Sequence, residues 1–351
     1  MKTLIILSII ALFSLKLNAQ TILKADGPGD TYELITSVLA PGNNPLEVPD
    51  CSHLDFGRHI DEVWDSTLNE YVFRFFIHVV PDDDRCINQD RQRNEIKTYN
   101  ESPDSLKGFE NDTVEYRWKF KLDSLFQPST SFTHIHQLKA VGGSESGMPV
   151  MTLTLRKASP GRLELKYAES TSQETLKTAD LSLFKGSWVT VLEKVRYGEE
   201  GSYEITINRI SDGQELFHYK NSNIRMWRTG ADFIRPKWGI YRSLNHPEHL
   251  RDEQVLFNEF EIKKISSLSV DEHNLKPGNL FYPNPAKEVI FFHLSNNDYH
   301  FSKLMDSKGK VILQNKDYSI RKLNISGLPK GLYFLEFVKG DDYYYQKLIK
   351  L

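Results

Sequence analysis

The chain has 351 residues, enough for about two domains of ~150 residues each, and its 39% hydrophobic and 26% charged residues exclude intrinsic disorder as the main state. Lysine and arginine number 44 against 47 aspartates and glutamates, for a net charge of −3. That is too close to neutral for a general nucleic-acid coat or a polybasic membrane binder. Aromatics at 12%, with 20 glycines and 15 prolines, point to an all-β protein with many turns.

The chain opens like a secretory signal peptide. Lys2 supplies the positive start, residues 4–15 are an apolar run, and Ala19 is the small residue a signal peptidase needs. Residues 1–19 are therefore expected to be removed, leaving Gln20 as the mature N-terminus. No later stretch reaches 18 apolar residues, so no membrane span is expected in the mature protein. In an exported protein, the two cysteines, Cys51 and Cys86, are most economically read as one disulfide. It would close a loop of roughly 35 residues, worth ~3 kcal/mol on a chain-entropy model; two unrelated buried thiols are the alternative.

Residues 71–80 form an apolar strand pattern. Residues 114–122 alternate, with Tyr116, Trp118 and Phe120 on one face and Glu115, Arg117, Lys119 and Lys121 on the other. Further strands are expected at 151–155, 162–166, 188–192, 202–208 and 255–262, with no long helical period. That density predicts two packed antiparallel sheets, a natural platform for an extended polymer. Between the first two strands, Asp82, Asp83 and Asp84 read as a solvated turn or as ligands for a structural calcium ion. No cofactor is expected to be required.

Three segments carry chemistry at strand spacing. In residues 90–97, Arg91, Arg93, Glu95 and Lys97 share a face. In residues 132–139, strict alternation puts Thr133, Ile135, Gln137 and Lys139 on one face and His134, His136 and Leu138 on the other. A His-x-His pair is a metal candidate, but no third ligand is visible, so no metal site is assigned. In residues 235–243, Lys237, Gly239 and Tyr241 share a face, and Gly239 leaves room for a ligand to approach the backbone. Nearby cations favour the Tyr241 phenolate. A GxSxG elbow, a Walker loop and a GxGxxG fingerprint are all absent. The paired carboxylates of a sandwich glucanase are not evident either.

After residue 265, the polar stretch 266–278 reads as a linker. Residues 279–351 follow as a small all-β module of short strands between turns. Tyr282-Pro283-Asn284-Pro285-Ala286, the turn Asp306-Ser307-Lys308-Gly309-Lys310, Leu328-Pro329-Lys330-Gly331-Leu332-Tyr333 and the basic-apolar tail Lys347 to Leu351 together resemble the C-terminal sorting domain of the type IX secretion system of Bacteroidetes. The resemblance implies export, then a secreted or cell-surface location, with the type IX machinery as a partner. An ordinary carbohydrate-binding β-sandwich is the alternative.

The three chemical segments keep the order found in jelly-roll polysaccharide lyases. In the alginate-lyase branch the sheet carries R-(S/T)-E-(L/V)-R, Q-(I/V)-H and Y-F-K-A-G-x-Y-N-Q. Here Arg93-Asn94-Glu95-Ile96-Lys97, Gln137-Leu138-Lys139 and Lys237-Trp238-Gly239-Ile240-Tyr241-Arg242 stand in those places. Lysine replaces the usual histidine at 139, which departs from ordinary alginate lyases, and the Lys/Tyr pair is most similar to ulvan lyases of polysaccharide lyase family 28. The resemblance implies a β-jelly-roll (concanavalin-like sandwich) catalytic domain over 20–265, acting as an endo-acting monomer on an anionic, sulfated, ulvan-like uronic-acid polysaccharide, by β-elimination. Alginate or glucuronan cleavage, or a non-catalytic surface lectin, are the alternatives. It further implies Arg93 and Gln137 at the substrate carboxylate, Lys139 as base or charge stabiliser and Tyr241 as acid, or as both acid and base. Glu95, Lys97, His134, His136, Lys237 and Arg242 are expected around the substrate.

Overall fold

The computed structural model describes residues 20–265, 280–292, 299–307, 309–315, 320–339 and 342–351. The expected signal peptide, the expected linker and Lys308 of the sorting-domain turn lie outside the described residues. The chain divides into two compact units, residues 1–268 and 269–351.

The first unit is a jelly-roll sandwich of two antiparallel sheets. Its elements are β1 (Gln20–Leu23), α1 (Thr31–Leu39), β2 (Leu46–Glu47), β3 (Ile60–Asp65), β4 (Glu70–Ile77), β5 (Arg91–Lys97), β6 (Thr113–Leu122), β7 (Thr133–Gly142), β8 (Met151–Arg156), β9 (Arg162–Ala168), β10 (Gln173–Asp180), β11 (Trp188–Arg196), β12 (Gly201–Arg209), β13 (Glu215–Ile224), β14 (Ala231–Ser243) and β15 (Glu253–Ile265). One sheet runs β13-β12-β11-β6-β15-β4-β3, with β1 added along β15. The other runs β10-β9-β8-β7-β14-β5-β2. The short helix α1 buries Ile35 and Leu39.

Strand β6 shows why the sheets stack. Val114, Tyr116, Trp118, Phe120 and Leu122 are buried between the sheets, while the alternating Glu115, Arg117, Lys119 and Lys121 face outward. Trp238 of β14 packs against Phe260 of β15, and Phe75 of β4 against Phe257 of β15. Each fully buried aromatic of this kind contributes roughly 1.5–3 kcal/mol by transfer from water. Cys51 and Cys86 are bonded to each other, with Cα atoms 6.2 Å apart. The bond ties the turn before β3 to the loop between β4 and β5. No helix among the described residues is long and apolar enough to cross a membrane.

The second unit has its own core, including Phe281, Ile290, Phe301, Leu304, Leu335 and Phe337. Its strands are β16 (Phe281–Tyr282), β17 (Val289–Phe292), β18 (His300–Asp306), β19 (Val311–Gln314), β20 (Lys322–Asn324), β21 (Gly331–Lys339) and β22 (Asp342–Lys350), in sheets ordered β16-β17-β20 and β19-β18-β21-β22. The Tyr282–Ala286 motif has a physical job. Asn284 donates to the Lys347 carbonyl at 2.6 Å and accepts from the Ile349 amide at 2.9 Å. Ala286 exchanges backbone bonds of 2.9 Å with Ile349 and Leu351. The basic-apolar tail is thereby paired on both sides, in β22 and along this motif.

Candidate active site

The site lies on the face of the β2–β10 sheet turned away from the core. Strands β5 and β14 pair without interruption: Arg93 opposes Tyr241, Glu95 opposes Gly239 and Lys97 opposes Lys237. Strand β7, on the other side of β14, pairs Lys139 with Arg235, Gln137 with Lys237 and His134 with Tyr241. The three segments singled out by sequence thus converge on adjacent strands. They border a cleft of about 320 Å³ lined by Arg93, His134, Gln137, Lys139, Arg156 and Tyr241, among others.

A β-bulge sets what this face presents. On β8, Thr154 and Leu153 are consecutive, yet their partners on β7 are His134 and His136, so Ile135 is an extra residue. The bulge breaks the alternation expected for residues 132–139. His134 turns to the cleft with Gln137 and Lys139, and Ile135 and Thr133 are buried. The role expected for Gly239 also changes. Its φ is +145°, and a Cβ there would sit 2.1 Å from the Asn94 carbonyl oxygen and 2.7 Å from the Glu95 Cα. The residue is small because the β5 backbone crowds it, not because a ligand approaches it.

Beneath the cleft lies a buried ionic floor. The Glu95 carboxylate is fully buried and takes Arg93 Nη1 at 2.7 Å, Lys237 Nζ at 2.7 Å and the Gln137 amide. Glu47, on the two-residue strand β2, takes Lys97 Nζ at 2.8 Å, Arg85 Nη1 at 2.9 Å, Arg93 at 3.3 Å and Lys237. Asp84 accepts from Arg93 Nε at 2.9 Å and from Arg85 Nε at 2.8 Å. Burial works to raise the pKa of both glutamates, but Lys237 with Lys97 and Arg93 holds Glu47 below the ordinary range, and Lys237 with Arg93 does the same for Glu95. Three carboxylates and four cations therefore hold one another in place.

This floor corrects several expectations. Glu95, Lys97 and Lys237 were expected to touch substrate, but their charged ends are spent within the floor, Lys97 on Glu47 and Lys237 on Glu47 and Glu95, and Lys237 is only 2% exposed. His136 and Arg242 are not in the cleft at all. His136 lies between the sheets against Trp118 and Trp238, with Nε2 2.8 Å from Glu193 Oε2 and Nδ1 3.0 Å from the Lys237 carbonyl oxygen. Arg242 is fully buried and donates to Gln92 Oε1 at 2.7 Å and to the Arg251 carbonyl at 2.8 Å; burial pushes its pKa down to about 10. Both point inward because they follow the phase of Trp238 and Ile240 along β14 and its partner β7.

The cleft side is differently made. Tyr241 Oη accepts from Arg91 Nη1 at 3.0 Å, and the Arg93 guanidinium lies 3.7 Å from the centre of its ring. Phe132 and His134 close the ring's other edges at centroid distances of 5.2 and 5.6 Å. Burial lowers the His134 pKa to about 3, so this imidazole is neutral, and its Nδ1 is buried without a partner. Among the described residues, the Lys139 side chain has neither an ion pair nor a hydrogen bond. Burial, with Lys237 and Arg93 nearby, lowers its pKa to about 8. Arg93 and Gln137 border the cleft, and each keeps one N–H outside the bonds to the floor.

Sequence reasoning did not find Glu47 or Arg156, and it read Asp84 as a turn residue or calcium ligand, not as a partner of Arg93. Glu47 reaches its partners from a strand too short to show a period, and only long-range contact reveals it. Arg91 stood on the right face of its segment and was left without a role. The three aspartates at 82–84 go to separate partners: Asp82 to histidines, Asp83 to the Cys86 amide, and Asp84 to Arg85 and Arg93.

A two-sheet sandwich with a cationic cleft across one outer face is the architecture of an enzyme or binder of extended anionic chains. The polysaccharide lyase family model matches residues 69–261, and the chain belongs to that family. The secretion system C-terminal sorting domain matches residues 280–351, so the protein is a type IX export substrate destined for the cell surface or the medium. Similar solved structures include the marine PL-14 alginate lyase from Aplysia kurodai, with 13% identity over 70% of this chain and 98% of that one, at a TM-score of 0.48. They also include the endo-β-1,4-glucuronan lyase from the fungus Trichoderma reesei, with 15% identity over 59% and 87%, at 0.43. An alginate lyase from Pseudomonas aeruginosa gives 15% over 63% and 97%, at 0.42. No curated protein sequence matches the chain.

Proposed function

We propose that this polysaccharide lyase cleaves a uronic-acid polysaccharide by β-elimination, with Lys139 as base and Tyr241 as acid. The observation that carries the reading is an unpaired, desolvated lysine sharing one cleft with a tyrosine whose oxygen already accepts a hydrogen bond. Because Arg91 fills an acceptor position on Tyr241 Oη, the phenolic proton is left to be donated outward. Lys139 needs no carboxylate to be released before it can act. The free N–H groups of Arg93 and Gln137 bind the C5 carboxylate, which makes C5–H acidic. Lys139 takes that proton, the C4–C5 double bond forms, the C4–O4 bond breaks, and O4 leaves with the Tyr241 proton. Neutral His134 lies tilted beside Tyr241, with ring centroids 5.6 Å apart, and holds its ring.

Among the described residues, neither Lys139 nor Arg235 is ion-paired to a carboxylate, and this surplus of positive charge favours a polyanion. A sulfated, ulvan-like chain, cut within the chain, is the proposed substrate because the Lys139/Tyr241 pair is most similar to that of ulvan lyases; alginate and glucuronan, with a carboxylate on every sugar, are the alternatives. Incubation with ulvan, alginate, glucuronan and heparin tests this, read by the ultraviolet absorbance of the new double bond. The expected result is fastest release from ulvan. Faster release from alginate or glucuronan would reassign the substrate, and binding without any unsaturated product would sink the lyase mechanism.

The pH profile separates base from charge stabiliser. Below about 8, Lys139 is protonated and has no lone pair for the C5 proton; above it the amine is free. kcat/KM is therefore expected to rise with pH and level off above about 8. Lys139→Ala should remove that limb and lower kcat/KM by roughly 10²–10⁴-fold. A rate that falls as pH rises through 8 would instead make Lys139 a cationic stabiliser.

A further inference from the structure

Away from the cleft, three imidazoles converge on one buried carboxylate. His53 lies in the turn before β3, His59 directly precedes β3, His78 directly follows β4, and Asp82 is in the loop after it. Asp82 Oδ1 is 2.9 Å from His53 Nδ1 and 3.2 Å from His59 Nε2, and Asp82 Oδ2 is 3.1 Å from His78 Nδ1. One nitrogen of each ring and one Asp82 oxygen all lie within 4.8 Å of one another. The ring centroids are 4.9–5.5 Å apart, and Phe56 covers His78 at 4.3 Å and His59 at 4.7 Å.

We propose that His53, His59, His78 and Asp82 form a structural zinc site. One carboxylate can balance a single imidazolium. Three rings turned toward the same carboxylate are instead the donor count of a tetrahedral divalent ion. Three nitrogens and one oxygen suit Zn²⁺, and an oxygen-seeking ion such as calcium would leave the imidazoles unused. With bonds of about 2.0–2.1 Å, the edges of such a tetrahedron are roughly 3.3 Å, close to the spacings to Asp82. The surroundings are those of a metal site too. The second nitrogen of His59 is 2.8 Å from Asp50 Oδ1, so a carboxylate orients that ring from behind. The backbone is pinned as well: Asn94 donates to the His59 carbonyl at 2.8 Å and Gln92 to the Asp82 carbonyl at 2.9 Å. The disulfide Cys51–Cys86 bridges the same two loops.

Four protein ligands leave no open position, so the ion would hold structure and take no part in the elimination. It would fasten the segment carrying Asp84, the partner of Arg93, to the start of β3. This inference is independent of the substrate and of the roles of Lys139 and Tyr241.

The test uses the untagged full chain, purified without chelator, incubated with excess zinc and dialysed. Elemental analysis is expected to give about one zinc per chain, with an X-ray absorption first shell of nitrogen and oxygen. Zinc, but not calcium, should raise the unfolding midpoint, and EDTA should lower it. His53 and His78 are partly exposed, so the H53A/H78A double variant is chosen to spare the core. It should fold and lose stoichiometric zinc. Wild-type protein that retains no zinc, or a folded double variant that retains as much as wild type, would overturn the site. If the double variant does not fold, the metal content and absorption spectrum of the wild type decide alone.

Discussion

Tyr241→Phe is expected to lower kcat by roughly 10²–10⁴-fold, the usual range for loss of a general acid, equivalent to about 3–5 kcal/mol of barrier at 1.36 kcal/mol per tenfold. The substitution removes one oxygen and keeps the ring, so Arg93, Phe132 and His134 retain their contacts with it. The lost Arg91 bond is a single one at the cleft surface, and such bonds contribute roughly 1 kcal/mol. Thermal unfolding should therefore move little while turnover collapses. Initial rates by ultraviolet absorbance and an unfolding curve on the same preparation test both halves. Near-native turnover in Y241F would remove tyrosine from the chemistry. A collapse of both stability and rate would make the hydroxyl a structural group.

The second large effect concerns stability. Glu95→Ala is expected to cost about 3 kcal/mol, the lower end of the range for breaking a buried ion pair. Glu95 alone accepts the Gln137 amide and shares Arg93 and Lys237 with Glu47. Removing it strands part of two buried cations. Glu47 touches both but already carries Lys97 and Arg85, and this partial cover sets the lower bound. For a domain of this size, the unfolding midpoint should fall by roughly 6–12 °C, at about 2–4 °C per kcal/mol. Glu95→Gln, which keeps the shape and one acceptor, should recover part of the loss. A change below about 1 kcal/mol in E95A would mean that Glu47 takes over both cations.

Much of the molecule was legible in the chain. Strict alternation in β6 announced a half-buried strand because one face meets a core and the other meets water, and the alternation from Tyr116 to Lys121 is reproduced residue for residue. The order of the three cleft segments was legible for the same reason. What was not legible depends on strand phase and on distance along the chain. Nothing in Phe132 to Lys139 marks Ile135 as supernumerary, so His134 was placed on the wrong face. Arg242 looked like another cation of the cleft because a charged residue in the core is rare; its satisfaction by Gln92 and the Arg251 carbonyl is visible only in three dimensions. Glu47, 48 residues before Glu95, left no local trace of a shared task. The histidines at 53, 59 and 78 have no regular spacing, and only the fold gathers them.

The extra residue in β7 decides which side of the sheet each half of that strand presents. A chain lacking Ile135 would run from His134 directly to His136 and still leave the former outside and the latter inside. One residue removed between Gln137 and Lys139 would carry Lys139 through the sheet into the aromatic layer. Losing Ile135 would thus keep the facing of both histidines at the cost of a buried side chain, whereas losing a residue next to Lys139 would take that lysine out of the cleft.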